Sequence, residues 1–296
     1  MGMTADKILA NPALAQAVRR QAEVMAQVHA TAPRVASIFA TQQRWLMAHV
    51  GAAHYFQSLS NGGEPGLLLQ TFLELVFQHG LASRNTASAF FSEMLKYGTL
   101  RYVDGTEGRR SRPAEPGPAA LESLRLWHAL HLSTLDALDG GRRAGLFMGD
   151  PHVLMPRIQP LISAGLLAAA VVRDPTPTFS LFTWVNEGGI LMDRLFAGLD
   201  LAAATPTRIP VDVTSVASLA AGLSLSRPHT GRVLGAAEKM GSLGWTGTRG
   251  HSRLWVSPDF QTEYHIAQAA KLAIIDAAFE ASCGDMGGVM EYAATA

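Results

Sequence analysis

Between residues 84 and 97 the apolar side chains return with helical spacing. Ala87, Phe90, Met94 and Tyr97 stand at i, i+3, i+7 and i+10 among polar neighbours, which is one stripe of a 3.6-residue helix. The pattern returns in residues 227–240, where Thr230, Val233, Ala237 and Met240 take the equivalent places. Each segment opens on Ser-Arg, Ser83-Arg84 and Ser226-Arg227. Serine is a good N-cap because its hydroxyl accepts from an otherwise orphaned first-turn amide, and Pro228 suits an opening turn. Each segment closes on Lys-x-Gly, with Gly98 and Gly241 where the chain must leave the helix at positive φ. Two equivalent helices are therefore expected.

Their surroundings repeat as well. An apolar helix precedes each one, LLLQTFLELVFQHG and SVASLAAG, through a short turn at Gly80-Leu81 or Gly222-Leu223. That order is a helix-turn-helix. TLRYV and SLGWT then read as short strands. They lead into DGTEGRRSRP and GTRGHSRLWVSP, both glycine-bearing and basic, as in a two-stranded hairpin. LWVS is a clear returning strand, whereas the first hairpin's return is expected to be short or frayed. Long helices should start at Pro118 and at Pro258, the latter capped by Ser257. Farther upstream, RWLMAHVGAAHYF at residues 44–56 echoes GILMDRLFAGLDL at residues 189–201. The chain thus reads as a duplication. Residues 1–138 form a first unit with the N-terminal helix, and residues 181–296 form a second with the C-terminal helix. Residues 139–180 are expected to be a linker with one short helix, because Gly140, Gly141, Pro151, Pro156, Pro160, Pro175 and Pro177 interrupt regular structure.

The order helix, helix-turn-helix, two-stranded wing, long helix resembles the MarR-like winged-helix transcriptional regulators. The resemblance covers roughly residues 34–138 and 181–283 and rests on element order and caps, not on a signature string. It implies a mainly α protein with small β wings (α+β): tandem winged helix-turn-helix domains forming an intramolecular pseudo-dimer, since such regulators are homodimers of about half this length. It further implies a DNA-binding transcriptional regulator, most often a repressor, whose partner is double-stranded DNA. A small aromatic effector would bind in a cleft lined by Trp45, Met47, Phe56, Trp127 and Met155, residues that read equally well as core. The chain would act as a monomeric pseudo-dimer, with further dimerisation left open. Its departures from the pattern are one extra turn residue in the second copy and the linker.

Charge sharpens this picture. The 296 residues carry 24 basic and 24 acidic side chains, a net of zero, so the whole chain gives no sign of a polyanionic partner. The distribution does. Residues 83–113 carry a net +3 and residues 226–253 a net +4, leaving the remainder at −7. Positive charge is gathered where phosphate neutralisation would use it. Groove geometry assigns base-edge contacts to Arg84, Asn85 and Ser88 in the first copy and to Arg227, His229 and Thr230 in the second. Arg232 and the wing residues Arg109, Arg110, Arg112, Arg249 and Arg253 would hold phosphates. Asn85 and Ser88 correspond to Pro228 and Gly231, so an imperfectly palindromic operator with half-sites about one helical turn apart is expected. The alternative is a winged-helix scaffold for protein–protein interaction that binds no nucleic acid.

Other chemistry is sparse. A hydrophobic content of 48% supports a folded core. The longest apolar run, residues 161–172, is shorter than the roughly 20 residues a membrane helix needs. The start of the chain lacks a secretory h-region, and the lone Cys283 has no internal disulfide partner, so a reducing cytoplasm is the expected location. His128 and His131, with His49 and His54, offer a His-x-x-His pair, yet no cysteine or spaced carboxylate joins them. They read as polar groups at a helix interface rather than zinc ligands. DGGRRAGLFMGD at residues 139–150 leaves a helical segment and runs into Pro151, unlike a cofactor loop between strand and helix. No GxxxxGK[ST], GxSxG or HExxH occurs. No metal, no cofactor and no enzymatic activity are expected.

Overall fold

The computed structural model describes residues 2–31, 38–60, 66–223 and 225–293. The chain is mostly helical with a few short antiparallel strands. It divides into two compact units: Met1–Ile8, Gln43–Arg173 and Ala270–Ala296 form unit 1, and Leu9–Gln42 with Asp174–Ala269 form unit 2.

After α1 (Ala5–Leu9) and α2 (Leu14–Thr31), the repeated pattern begins with α3 (Gln42–Ser60). Helix α4 (Leu69–Gln78) turns through Gly80 into α5 (Arg84–Lys96). Ser83 caps α5 as its spacing requires, its hydroxyl accepting from the Thr86 amide at 3.2 Å. Gly98 leaves that helix at φ +72°, a conformation that an L side chain resists. Strand β1 (Leu100–Tyr102) pairs antiparallel with β2 (Ala114–Pro116), Arg101 facing Glu115. Leu67 bridges Ala114 from the other side, exchanging both backbone hydrogen bonds with it. Helix α6 (Pro118–Asp139) follows. The corner before it must be glycine, because a Cβ on Gly117 would meet the Gly98 carbonyl oxygen at 2.2 Å. Phe72, Phe90 and Phe91 close the core between α4 and α5.

Four helices occupy the stretch expected to be a linker: α7 (Arg143–Gly149), α8 (Pro151–Ala168), α9 (Ala170–Arg173) and α10 (Pro177–Trp184). The breaker count misleads for a physical reason. Pro151 and Pro177 sit at first helical positions, where the missing N–H costs nothing. Pro156 and Pro160 do lie inside α8, at about 3 kcal/mol each. However, α8 buries Leu154, Met155, Ile158, Ile162 and Leu166, and at about 1.5–3 kcal/mol per apolar side chain that burial outweighs the two prolines.

Unit 2 also places two consecutive helices before a pair of strands and a long helix, with a further strand ahead of them. Helix α11 (Gly188–Ala197) leads through a 3-10 turn at Leu201–Ala203 to β3 (Ile209–Pro210), then α12 (Val216–Gly222) and α13 (Arg227–Lys239). Ser226 caps α13, accepting from the His229 amide at 3.3 Å, and Gly241 exits at φ +75°. Strands β4 (Leu243–Trp245) and β5 (Leu254–Val256) pair antiparallel, with β3 added on the far edge of β5. Ser257 caps α14 (Pro258–Ala293) through the Phe260 amide. Stacked pairs Phe182–Phe260 and Phe196–Tyr264 fill this core. The buried Tyr264 hydroxyl donates to Asp193, and burial pushes its pKa well above the ordinary value.

Three further expectations change. Helix α2, assigned from sequence to the first unit, belongs to unit 2 and packs along α11, with the Arg19 Nε donating to the Ala197 carbonyl. Its buried face (Leu14, Ala17, Val18, Ala22) identifies a helix that needs cover without saying which unit provides it. The first hairpin's return strand is short, but no shorter than the second's: β2 and β5 have three residues each. The last members of both apolar stripes, Tyr97 and Met240, are 52% and 45% exposed, because each is the C-cap residue at which the helix turns away from the core.

Candidate nucleic-acid interface

In both units the helix before the hairpin begins with an exposed arginine, Arg84 or Arg227, directly after its serine cap. Neither helix carries an acidic residue in its first turn. This is the reverse of what helix stability favours. The N-terminal end of a helix macrodipole is positive and repels a cation there by about 0.3–1 kcal/mol. The exposed arginine at that end makes a surface suited to an anion.

On α5 the exposed residues are Arg84, Asn85, Thr86, Ala89, Ser92 and Lys96, while Ser88 is half-buried. Arg84 and Asn85 are thus exposed in its first turn. Ser92 and Lys96, one and two turns beyond Ser88, share the exposed face and were missed. Their signal was the complement of the buried stripe Ala87, Phe90, Met94. The hairpin exposes Arg109 and Arg110. Arg112 lies half-buried over the Tyr102 ring, 4.2 Å from its centroid, with Glu107 at 3.6 Å. Arg101 pairs with Glu115 at 2.7 Å.

Unit 2 places its residues differently. Arg227 and Arg232 are exposed. Thr230 is 0% exposed, and its hydroxyl donates back to the Ser226 carbonyl at 3.1 Å. It is a core residue and cannot touch a base, a correction its place on the apolar stripe explains. His229 is half-buried, and its Nε2 donates to the Asn186 carbonyl at 2.8 Å, which ties α13 to the turn before α11. On the second hairpin, Arg249 Nε meets Glu238 at 2.7 Å. Arg253 binds Asp200 at 2.9 Å and the Val211 carbonyl at 3.1 Å. That ion pair holds the Asp200 carboxyl below its usual pKa. Both arginines assigned to phosphates are therefore engaged within the chain, Arg253 by an aspartate outside the stretch whose charge was summed.

The residues expected to line an aromatic cleft separate into two kinds. Met47, Phe56 and Met155 are buried core. Trp45 and Trp127 are half-buried, their rings 6.3 Å apart, and each packs edge-on to His49.

His49, His128 and His131 are all buried in unit 1. His128 and His131 donate from Nδ1 to the carbonyls of Leu124 and Trp127, at 2.8 Å each, which leaves their Nε2 lone pairs without a hydrogen-bond partner. The Gln159 amide donates to His49 Nδ1 at 2.9 Å. All three rings are kept neutral. Burial lowers the pKa of His49 to about 3, with the charges of His128 and Lys271 adding to the effect. Burial lowers His128 to about 4 and drives His131 well below the ordinary value. Among the described residues no three His, Cys, Asp or Glu side chains form a group able to hold a metal ion. Cys283 has its thiol pKa raised by burial and by Glu280, the opposite of an activated thiolate. Among the described residues no helix is long and apolar enough to cross a membrane.

Comparison with family models, with curated proteins and with solved structures gives no match.

Proposed function

We propose that this chain is a DNA-binding transcriptional regulator and that each of its units is a winged helix, with α5 and α13 as recognition helices. One observation carries the reading. Both helices set an exposed arginine on a cation-repelling N-terminus with no first-turn acid, and a basic hairpin follows each within a few residues. The charge distribution supports it, since the cationic excess of a neutral chain falls on these two stretches. A gel-shift titration against the chain's own upstream region tests it. Arg84→Ala and Arg227→Ala should each cost about 1–3 kcal/mol if they read bases and less if they hold phosphates. Unchanged affinity in both variants would remove α5 and α13 from the interface. A repressor's response to a small aromatic effector belongs to the same reading. A melting temperature indifferent to a panel of aromatic acids would exclude that part.

A protein-docking scaffold is the second reading. The observation favouring it is the apolar surface of α4, where Leu69 and Phe77 are 36% and 67% exposed.

A further inference from the structure

The two helices start alike and then diverge, and the divergence falls on side chains that can read a base. In register from the caps, Asn85 corresponds to Pro228, Thr86 to His229, Ser88 to Gly231 and Ser92 to Gly235. Asn85 and Ser92 are exposed, and both can donate and accept hydrogen bonds toward a base edge. Their counterparts in unit 2 have no polar side chain, and His229 is committed to the Asn186 carbonyl. What unit 2 retains on the exposed side of α13 is cationic: Arg227, Arg232 and Lys239. Its hairpin has less to offer, because Arg249 and Arg253 are held by Glu238 and Asp200. In unit 1, by contrast, Arg110 is exposed and makes no ion pair among the described residues.

Resting on the proposed function, we infer that sequence readout belongs to unit 1 alone, through Arg84, Asn85 and Ser92, and that unit 2 supplies only sequence-independent attraction to phosphates. The target is then one asymmetric base block flanked by indifferent duplex, not an imperfect palindrome.

Selection from a random duplex library, with the full chain, separates the possibilities. The wild type should return one asymmetric consensus. Arg84→Ala with Asn85→Ala should flatten that consensus, lowering the ratio of specific to random duplex affinity by about 10- to 100-fold or more. Arg227→Ala with Arg232→Ala should leave the consensus intact. It should weaken all duplexes alike and make the log–log salt slope shallower by about 2. A gain-of-function variant guards against loss by misfolding. Pro228→Asn with Gly235→Ser copies the unit 1 readers onto α13, where a Cβ on Gly235 meets only the end of the flexible Arg249 side chain, at 3.0 Å. It should add a second base block. A two-fold symmetric wild-type consensus, or a consensus altered by Arg227→Ala with Arg232→Ala, overturns the inference while leaving DNA binding in place. A wild type that binds no duplex overturns the proposed function, and the inference with it.

Discussion

Acid should unfold unit 1 well above the pH at which carboxylates titrate, because three buried histidines are neutral there. In the unfolded chain each ring takes up a proton below about pH 6.5. In the folded unit His49 and His128 stay neutral to about pH 3 and 4, and His131 also stays neutral far below its ordinary range. Between those limits the unfolded state binds more protons than the folded state, so stability falls as pH falls. Each ring contributes up to about 1.4 kcal/mol per pH unit. The three together should cost about 4 kcal/mol between about pH 8 and pH 5.5, a large part of a domain's ordinary 5–15 kcal/mol. His54, lowered by partial burial, acts in the same direction. Urea unfolding at a series of pH values measures the effect, and a variant with Trp184, Trp245 and Trp255 replaced by Phe lets Trp45 and Trp127, which pack against these rings, report on unit 1 itself. His131→Leu should reduce the slope by about a third. A midpoint unchanged between pH 8 and 5.5, or a slope the variant does not alter, would refute the reasoning.

Other outcomes follow from single contacts. Arg143 joins Asp136, Asp139 and Asp276, and Asp276 is 0% exposed on the side chain. Arg143→Met should therefore cost about 3–5 kcal/mol in urea unfolding, since it leaves a buried carboxylate without its cation and, among the described residues, with only the Met3 amide as donor. A loss below about 1 kcal/mol would show that the Met3 amide alone is enough for Asp276. Gly244→Ala should cost about 1–3 kcal/mol, because the new Cβ would stand 2.5 Å from the Trp255 ring; thermal unfolding measures it, and a neutral result would mean that the indole moves freely. Ser83→Ala and Ser226→Ala should each lose about 1 kcal/mol, the worth of one N-cap, with an unchanged melting temperature as the contrary result.

What could be read from the sequence was local. Ser83, Gly98, Ser226 and Gly241 act on neighbours three or four residues away, so their spacing was enough to delimit α5 and α13. What escaped was set by tertiary partners. The two-residue strand β3 is too short to show a period. The prolines of α8 look like breakers until the apolar face that compensates for them is found buried. Nothing near Arg253 in the chain points to Asp200, 53 residues away. Thr230 fell under two patterns at once, the apolar stripe and the reading face, and burial settles it in favour of the first. Among the candidate residues, Arg84, Asn85, Arg110, Arg227 and Arg232 are exposed. His229, Arg249 and Arg253 are engaged in contacts that composition could not reveal.

The central claim, that α5 and α13 with their hairpins each bind phosphates, is tested most directly by the salt dependence of duplex affinity. Fluorescence anisotropy of the full chain with a random duplex of about 30 base pairs, between about 50 and 200 mM salt, should give log Kd rising with log salt at a slope of about 3–5, near 0.9 per neutralised phosphate. Affinity indifferent to salt, or no duplex binding at the lowest salt, would contradict it.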